Sequence, residues 1–228
     1  MTRALVTGAS RGIGRATSLA LAARGADLAL VGRASAGLTD TAAQARAAGA
    51  GKVYEFHADL ADLSAVADVA SRIPTDFGVP EIIIHCAGIV RRARIEELTP
   101  AAFEEQLRVN LTSPFLITRS LLPALRQAGR GRILFVGSIS STLGTAAHSG
   151  YCASKWGVVG LMKSLAEELT DSGLMTAAVL PGSVDTDMLA GSGFPPRMSA
   201  EAVAQSLLYL ALDAPLAHNG ASIEMFGV

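Results

Sequence analysis

Tyr151 and Lys155 stand four residues apart in the segment YCASK, at the opening of a helical stretch, so one helical face carries both a phenol and an amine. A phenol ordinarily loses its proton near pH ~10, and a neighbouring ammonium favours the phenolate. Such a pair supplies an acid and a base usable near neutral pH. Ser138 follows the apolar run RILFVG, and a hydroxyl carried there by a strand can steady charge developing on a carbonyl oxygen. Ser140 and Ser141 are equally polar, and chemistry alone does not choose among the three. The pattern argues against a nucleophilic serine, because VGSIS lacks the G-x-S-x-G elbow and no histidine and acid complete a hydrolase triad.

A second cluster lies near the start, where TGASRGIG holds Gly8, Gly12 and Gly14 between a short apolar run and an alanine-rich stretch. In a chain with 23 glycines this spacing means little by itself. With a strand before it and a helix after it, the turn reads as the floor of a dinucleotide site. There the backbone approaches a pyrophosphate and the helix offers unpaired N–H groups.

The elements that must position these residues follow from periodicity. Strand-like runs at 3–7, 27–31, 52–57, 81–86, 132–137, 175–180 and 221–226 alternate with helical segments at 12–24, 35–49, 62–73, 100–128, 151–171 and 199–212. Most of the strands are continuously apolar, as strands covered on both faces are. The expectation is an α/β chain with a doubly wound, seven-stranded parallel sheet and helices on both faces, in a single domain spanning 1–228. Residues 183–198, with their glycines and paired prolines, read as a mobile substrate loop. Asn110 interrupts an otherwise strong helix pattern, and its amide competes for backbone hydrogen bonds, so something must compensate it.

A net charge of −1 with dispersed cations argues against a nucleic-acid partner. No apolar run approaches the ~20 residues of a membrane span, and the first residues enter a strand at once, which leaves no room for a signal peptide and implies a cytoplasmic protein. Cys86 and Cys152 read as small buried hydrophobes rather than a disulfide, and no metal site is expected.

The Thr-led G-x-x-x-G-x-G turn differs from the usual G-x-G-x-x-G. Through it and the Tyr-x-x-x-Lys pair, the chain resembles the short-chain dehydrogenase/reductase family, in its compact single-domain subgroup. It is similar to the family's 3-oxoacyl-acyl-carrier-protein reductases, and the resemblance runs from Thr2 to about residue 226. It implies a Rossmann-like fold and selects Ser138 as the serine that acts with Tyr151 and Lys155. It implies that Ser10, Arg11 and Ile13 join the three glycines in holding the cofactor, and that Lys155 holds the ribose hydroxyls. Asp59, followed by Leu60, matches the acid that receives the adenine amino group. Ala87 and Gly88 of HCAG match the end of the family's Asn-Asn-Ala-Gly, while Cys86 replaces an asparagine that braces the sheet. Pro181, Gly182, Val184 and Thr186 match the turn that grips the nicotinamide amide. Asn110 matches an asparagine that binds a main-chain carbonyl at a helix kink and holds a water serving the lysine. The ending IEMFGV departs from the family's Asp-Gly-Gly pattern.

No acid follows the second strand, where Gly32 and Arg33 stand, and Arg11 lies inside the glycine turn, so NADP(H) is expected over NAD(H). The expected reaction is hydride transfer between the nicotinamide and a ketone, aldehyde or secondary alcohol, with Tyr151 as acid. A mostly apolar pocket is expected from Leu143, His148, Met188 and Phe194. RRAR at 91–94 reads as a solvated charged loop, with an acidic substrate or acyl carrier protein as the alternative. Two rival readings share the glycine turn: a non-catalytic NADP-binding regulator, and a methyltransferase holding S-adenosylmethionine, which leaves Tyr151 and Lys155 unexplained. The resemblance also implies a homotetramer or homodimer built through the segments 100–128 and 151–171.

Overall fold

In a computed structural model, which describes residues 2–227, all seven expected strands form. They are β1 (Arg3–Thr7), β2 (Asp27–Gly32), β3 (Val53–His57), β4 (Ile82–His85), β5 (Gly131–Val136), β6 (Leu174–Pro181) and β7 (Ala221–Met225). They make one sheet in the order β3-β2-β1-β4-β5-β6-β7, and every neighbouring pair is parallel. The order reverses between β1 and β4. In such sheets a crevice opens beyond the strands' carboxyl ends at that switch.

Helices cover both faces: α1 (Gly12–Ala22), α2 (Ala36–Ala47), α3 (Leu63–Asp76), α4 (Pro100–Leu107), α5 (Ser113–Ala128), α6 (Ser149–Glu168) and α7 (Ala200–Leu212). Strand residues divide by parity. Ala4 and Val6 of β1, with Ile82 and Ile84 of β4, pack into a core with residues of α1, α2 and α7. Leu5 and Ile83 point the other way, into a core shared with α3, α5 and α6. Each fully buried leucine or isoleucine contributes about 1.5–3 kcal/mol, which is why the pattern is apolar throughout rather than alternating.

The single helix expected over 100–128 is interrupted. Between α4 and α5 the chain makes one wide π turn, Arg108–Thr112, with Asn110 at its middle. Such turns release backbone groups from the regular ladder. Here the Ser113 hydroxyl reaches the Arg108 carbonyl at 2.9 Å and the Leu60 carbonyl at 2.5 Å. In α3 the helix runs past Pro74, beyond the expected end at residue 73. Proline there cannot donate to the Ala70 carbonyl, and the Ser120 hydroxyl of α5 supplies a donor at 3.4 Å instead.

Candidate active site

The glycine turn is built by close backbone packing. The Gly8 backbone has φ +66°, and a Cβ there would lie 2.7 Å from the Ala87 Cα, so the β1 and β4 ends meet only without a side chain. The Ala87 N–H donates to the Thr7 hydroxyl at 3.2 Å across the same junction. A Cβ on Gly14 would collide with the Gly8 carbonyl, so α1 rests directly on the turn. Gly12 faces Thr186, whose methyl would lie 3.1 Å from its Cβ, which brings the loop after β6 against the same floor.

Side chains cap the N-termini of α2, α3, α4 and α7: Ser35, Asp62, Thr99 and Ser199. Arg11, at the start of α1, provides no such cap, and no acid lies in the first turn. The opening N–H groups of α1 therefore suit an anionic ligand, and the glycine cradle in front of them fits the pyrophosphate of a dinucleotide.

Ser138, Tyr151 and Lys155 line one cavity of about 190 Å³ at the carboxyl end of β5. Ser138 opens a short 3-10 turn, Ile139–Ser141, in which its Oγ accepts from the Ser140 N–H at 3.1 Å. The Ser141 Oγ accepts from the Ser138 N–H at 3.2 Å. This engages Ser141 locally and leaves the Ser138 hydroxyl proton available to an acceptor in the cavity. Tyr151 and Lys155 both lie in the early part of α6, and the Lys155 Nζ stands 5.7 Å from the Tyr151 ring centre.

Lys155 is 4% exposed and donates to the Val136 carbonyl at 2.7 Å. Burial lowers its amine from 10.5 to about 8, opposed by the negative charge that Cys86 would carry if ionised. The expected depression of the phenol does not hold in the folded chain. Burial raises Tyr151 above its ordinary 10, and the Ser138 hydroxyl and the Arg92 charge pull the other way. Taking a phenolate out of water outweighs these partners, and Lys155 is not among the groups that offset the cost.

Asn110 is 2% exposed and stands behind Gly88. Its Oδ1 accepts from the Ile89 N–H at 2.8 Å, and its Nδ2 donates to the Ile89 carbonyl at 2.9 Å and to the Ser154 hydroxyl at 2.9 Å. The main-chain partner that the resemblance implied at a helix break is thus in place.

Of the other sequence-derived residues, Ile13, Gly88, Pro181, Gly182, Val184 and Thr186 line the cavity with the serine, tyrosine and lysine. Gly8, Ser10, Arg11, Gly12, Gly14, Ala87, Arg33, Asp59 and Leu60 do not. The Leu60 side chain is buried in the core, so only its backbone is available to a ligand. Asp59 is exposed and accepts from the Ala61 N–H at 3.0 Å, while Asp62 is the α3 cap. Arg11 pairs with Asp187 at 2.9 Å. Arg33 is exposed and has no ion-pair partner among the described residues.

Of the four residues expected in the substrate pocket, His148, Met188 and Phe194 line the cavity, and Leu143 does not. Cys86 and Cys152 are free, as expected, yet each is only half-buried. Cys86 lines the cavity, and burial pushes its thiol up to about 12, so it stays protonated beside Thr17.

Arg92 is the residue the sequence did not single out. It lines the cavity and donates to the carbonyls of Met188 and Ala190 at 2.7 and 3.1 Å, so it is not part of a solvated loop. Nothing in RRAR distinguishes it from its neighbours. Only the path of the chain after β4 does.

Among known proteins, the model of the short chain dehydrogenase family matches residues 2–193. A 3-oxoacyl-(acyl-carrier-protein) reductase of Escherichia coli K12 is 34% identical over 81% of this chain and 74% of its own length. A D-threitol dehydrogenase of Mycolicibacterium smegmatis is 33% identical over 98% of this chain and 91% of its own. A crystal structure of a 3-oxoacyl (acyl-carrier-protein) reductase from Agrobacterium tumefaciens C58 with NADP bound superposes with a TM-score of 0.91 at 28% identity. That superposition covers 99% of this chain and 93% of that one.

Proposed function

The chain belongs to the short-chain dehydrogenase family, and from that membership we propose that it reduces a ketone or aldehyde with NADPH, reversibly, through Ser138, Tyr151 and Lys155. The convergence of these three side chains on one cavity, beside the glycine floor and the uncapped start of α1, carries the reading.

NADPH, when bound, supplies the hydride to the carbonyl carbon. The Ser138 hydroxyl, its lone pair engaged by the Ser140 N–H, donates to the substrate oxygen and steadies its developing charge. Tyr151 delivers the proton that turns this oxygen into a hydroxyl. Its phenol, held protonated by burial, is in the form a proton donor needs. Lys155 holds the ribose hydroxyls with the donors left over from its bond to Val136, and Asn110 holds the Ile89 backbone behind Gly88. Arg33 accommodates the 2′-phosphate, supported by the lack of an acid after β2.

The proposal extends to the assembly. Phe115 of α5 and Trp156 of α6, 43% and 53% exposed, lie on the two segments through which family resemblance implies pairing between copies. A homodimer or homotetramer in the cytoplasm is the reading that family membership supports. No helix among the described residues is long and apolar enough to cross a membrane.

The test is NADPH oxidation across a panel of carbonyl compounds by the wild type and Tyr151→Phe. Turnover in the wild type, lost by about 10²–10⁴-fold in the variant while NADPH still binds, is the expected result. Undiminished turnover in Tyr151→Phe would overturn it.

A further inference from the structure

We propose that Arg92 selects substrates bearing an oxyanion, a carboxylate above all, close to the carbonyl that reacts. This rests on the reductase reading above and names the substrate class for it.

The three arginines of RRAR have separate fates. Arg91 grips Glu105 through Nε and Nη2, both at 2.9 Å, and Arg94 faces Glu96 at 4.0 Å. Arg92 alone lines the cavity, and every acceptor it meets is neutral. Its Nη2 donates to the Met188 carbonyl at 2.7 Å, its Nη1 to the Ala190 carbonyl at 3.1 Å, and its Nε to the His148 Nε2 at 3.2 Å. The His148 Nδ1 lies 2.7 Å from the Ala146 carbonyl, so the ring proton sits on Nδ1 and Nε2 offers a lone pair. A histidine carries no negative charge in either protonation state, so it gives Arg92 no counter-charge.

Among the described residues, no aspartate or glutamate lines the cavity. Asp187, on the same loop as Met188, is taken up by Arg11 outside it. A guanidinium has five N–H donors in a planar fork, and three are used here. Two remain, on a charge that no acidic group among the described residues pairs with. A carboxylate is the ligand that matches both properties. The charge also reaches the chemistry, because Arg92 is one of the groups that pull the Tyr151 phenol down.

Matched pairs of acid and ester test this: acetoacetate with methyl acetoacetate, and 4-oxopentanoate with its methyl ester. The wild type should favour the acid by roughly 10–150-fold in kcat/KM, the range for hydrogen bonds to a charged group. Arg92→Met should bring that ratio close to one, and Arg92→Lys should keep part of it. Because Arg92 also holds the loop at Met188 and Ala190, its loss can slow acid and ester alike. Only the ratio reports on charge.

A second readout needs no turnover. Succinate, titrated calorimetrically into the NADPH-loaded protein, should bind the wild type and bind Arg92→Met at least about tenfold more weakly. A wild type that reduces ester as well as acid, or an acid preference unchanged in Arg92→Met, would overturn the assignment while leaving the reductase standing. Succinate binding that depends on Arg92, with no carbonyl compound reduced, would uphold the anion site and sink the reductase reading.

Discussion

Asn110 and Ile89 are joined by two hydrogen bonds running in opposite directions, the side-chain amide taking the Ile89 N–H at 2.8 Å and giving to the Ile89 carbonyl at 2.9 Å. One residue on the wide turn between α4 and α5 thereby completes the backbone of the segment leaving β4. The spare Nδ2 proton goes to Ser154, one residue before Lys155 in α6. A single buried amide thus ties together two of the segments that line the cavity.

Asn110→Asp keeps the shape and loses the two donors. Its carboxylate would face the Ile89 carbonyl with no hydrogen between them, and chemical denaturation should show a loss of about 1–3 kcal/mol. Turnover should fall with it, because Gly88 and Lys155 are positioned from the same point. An Asn110→Asp variant as stable and as active as the wild type would show that the paired hydrogen bonds carry nothing.

Ser138→Ala removes the donor aimed into the cavity and leaves the Ser140 N–H without its acceptor. Steady-state kinetics should show kcat reduced by about 10²–10³-fold. KM for NADPH should stay within a few-fold. Ser141→Ala is the control: its hydroxyl serves the Ser138 N–H, so any effect on rate should be smaller.

Arg33→Ala should narrow the preference for NADPH over NADH by about ten- to a hundredfold in kcat/KM, the range expected for losing charge-assisted bonds to a phosphate. Arg11→Ala should do less, because Arg11 is already engaged with Asp187 at 2.9 Å. Measuring both variants with both cofactors separates the two cations. Equal preference in the wild type would refute the assignment of either.

His85 supplies a pH dependence independent of catalysis. It is 3% exposed, stacks on Phe135 and meets the Thr118 hydroxyl at 3.0 Å, and burial lowers its pKa from 6.5 to about 3. Between those values the unfolded chain binds the proton and the folded chain refuses it. Stability should be fully present above pH ~6.5 and fall as pH drops toward 3, by at most about 1.4 kcal/mol per unit from this group. Urea unfolding at pH 7 and pH 5 should show a smaller acid loss for His85→Asn.

Local pattern determined the seven strands, most of the helices and the fold class, but not the break of the segment 100–128 into α4 and α5. Short continuous apolar runs alternating with longer helical segments fit strands covered on both faces, with the helices between them as the cover. The glycine turn, Ser138 and the Tyr151–Lys155 pair were also legible, because each is a short motif whose spacing is set by one strand end or one helical turn. Asn110 was visible as a misfit in a helix pattern, although the wide turn that accommodates it was not.

What depended on distant parts of the chain had no local signature. The raised pKa of Tyr151 is a matter of how much water the assembled cavity excludes, which its neighbour four residues on cannot reveal. Arg92 is one of three similar arginines until the chain leaving β4 meets the loop after β6, where its partner Met188 lies 96 residues further along the chain. Desolvation and charge balance are sums over everything that surrounds a group, and only the tertiary structure states what surrounds it.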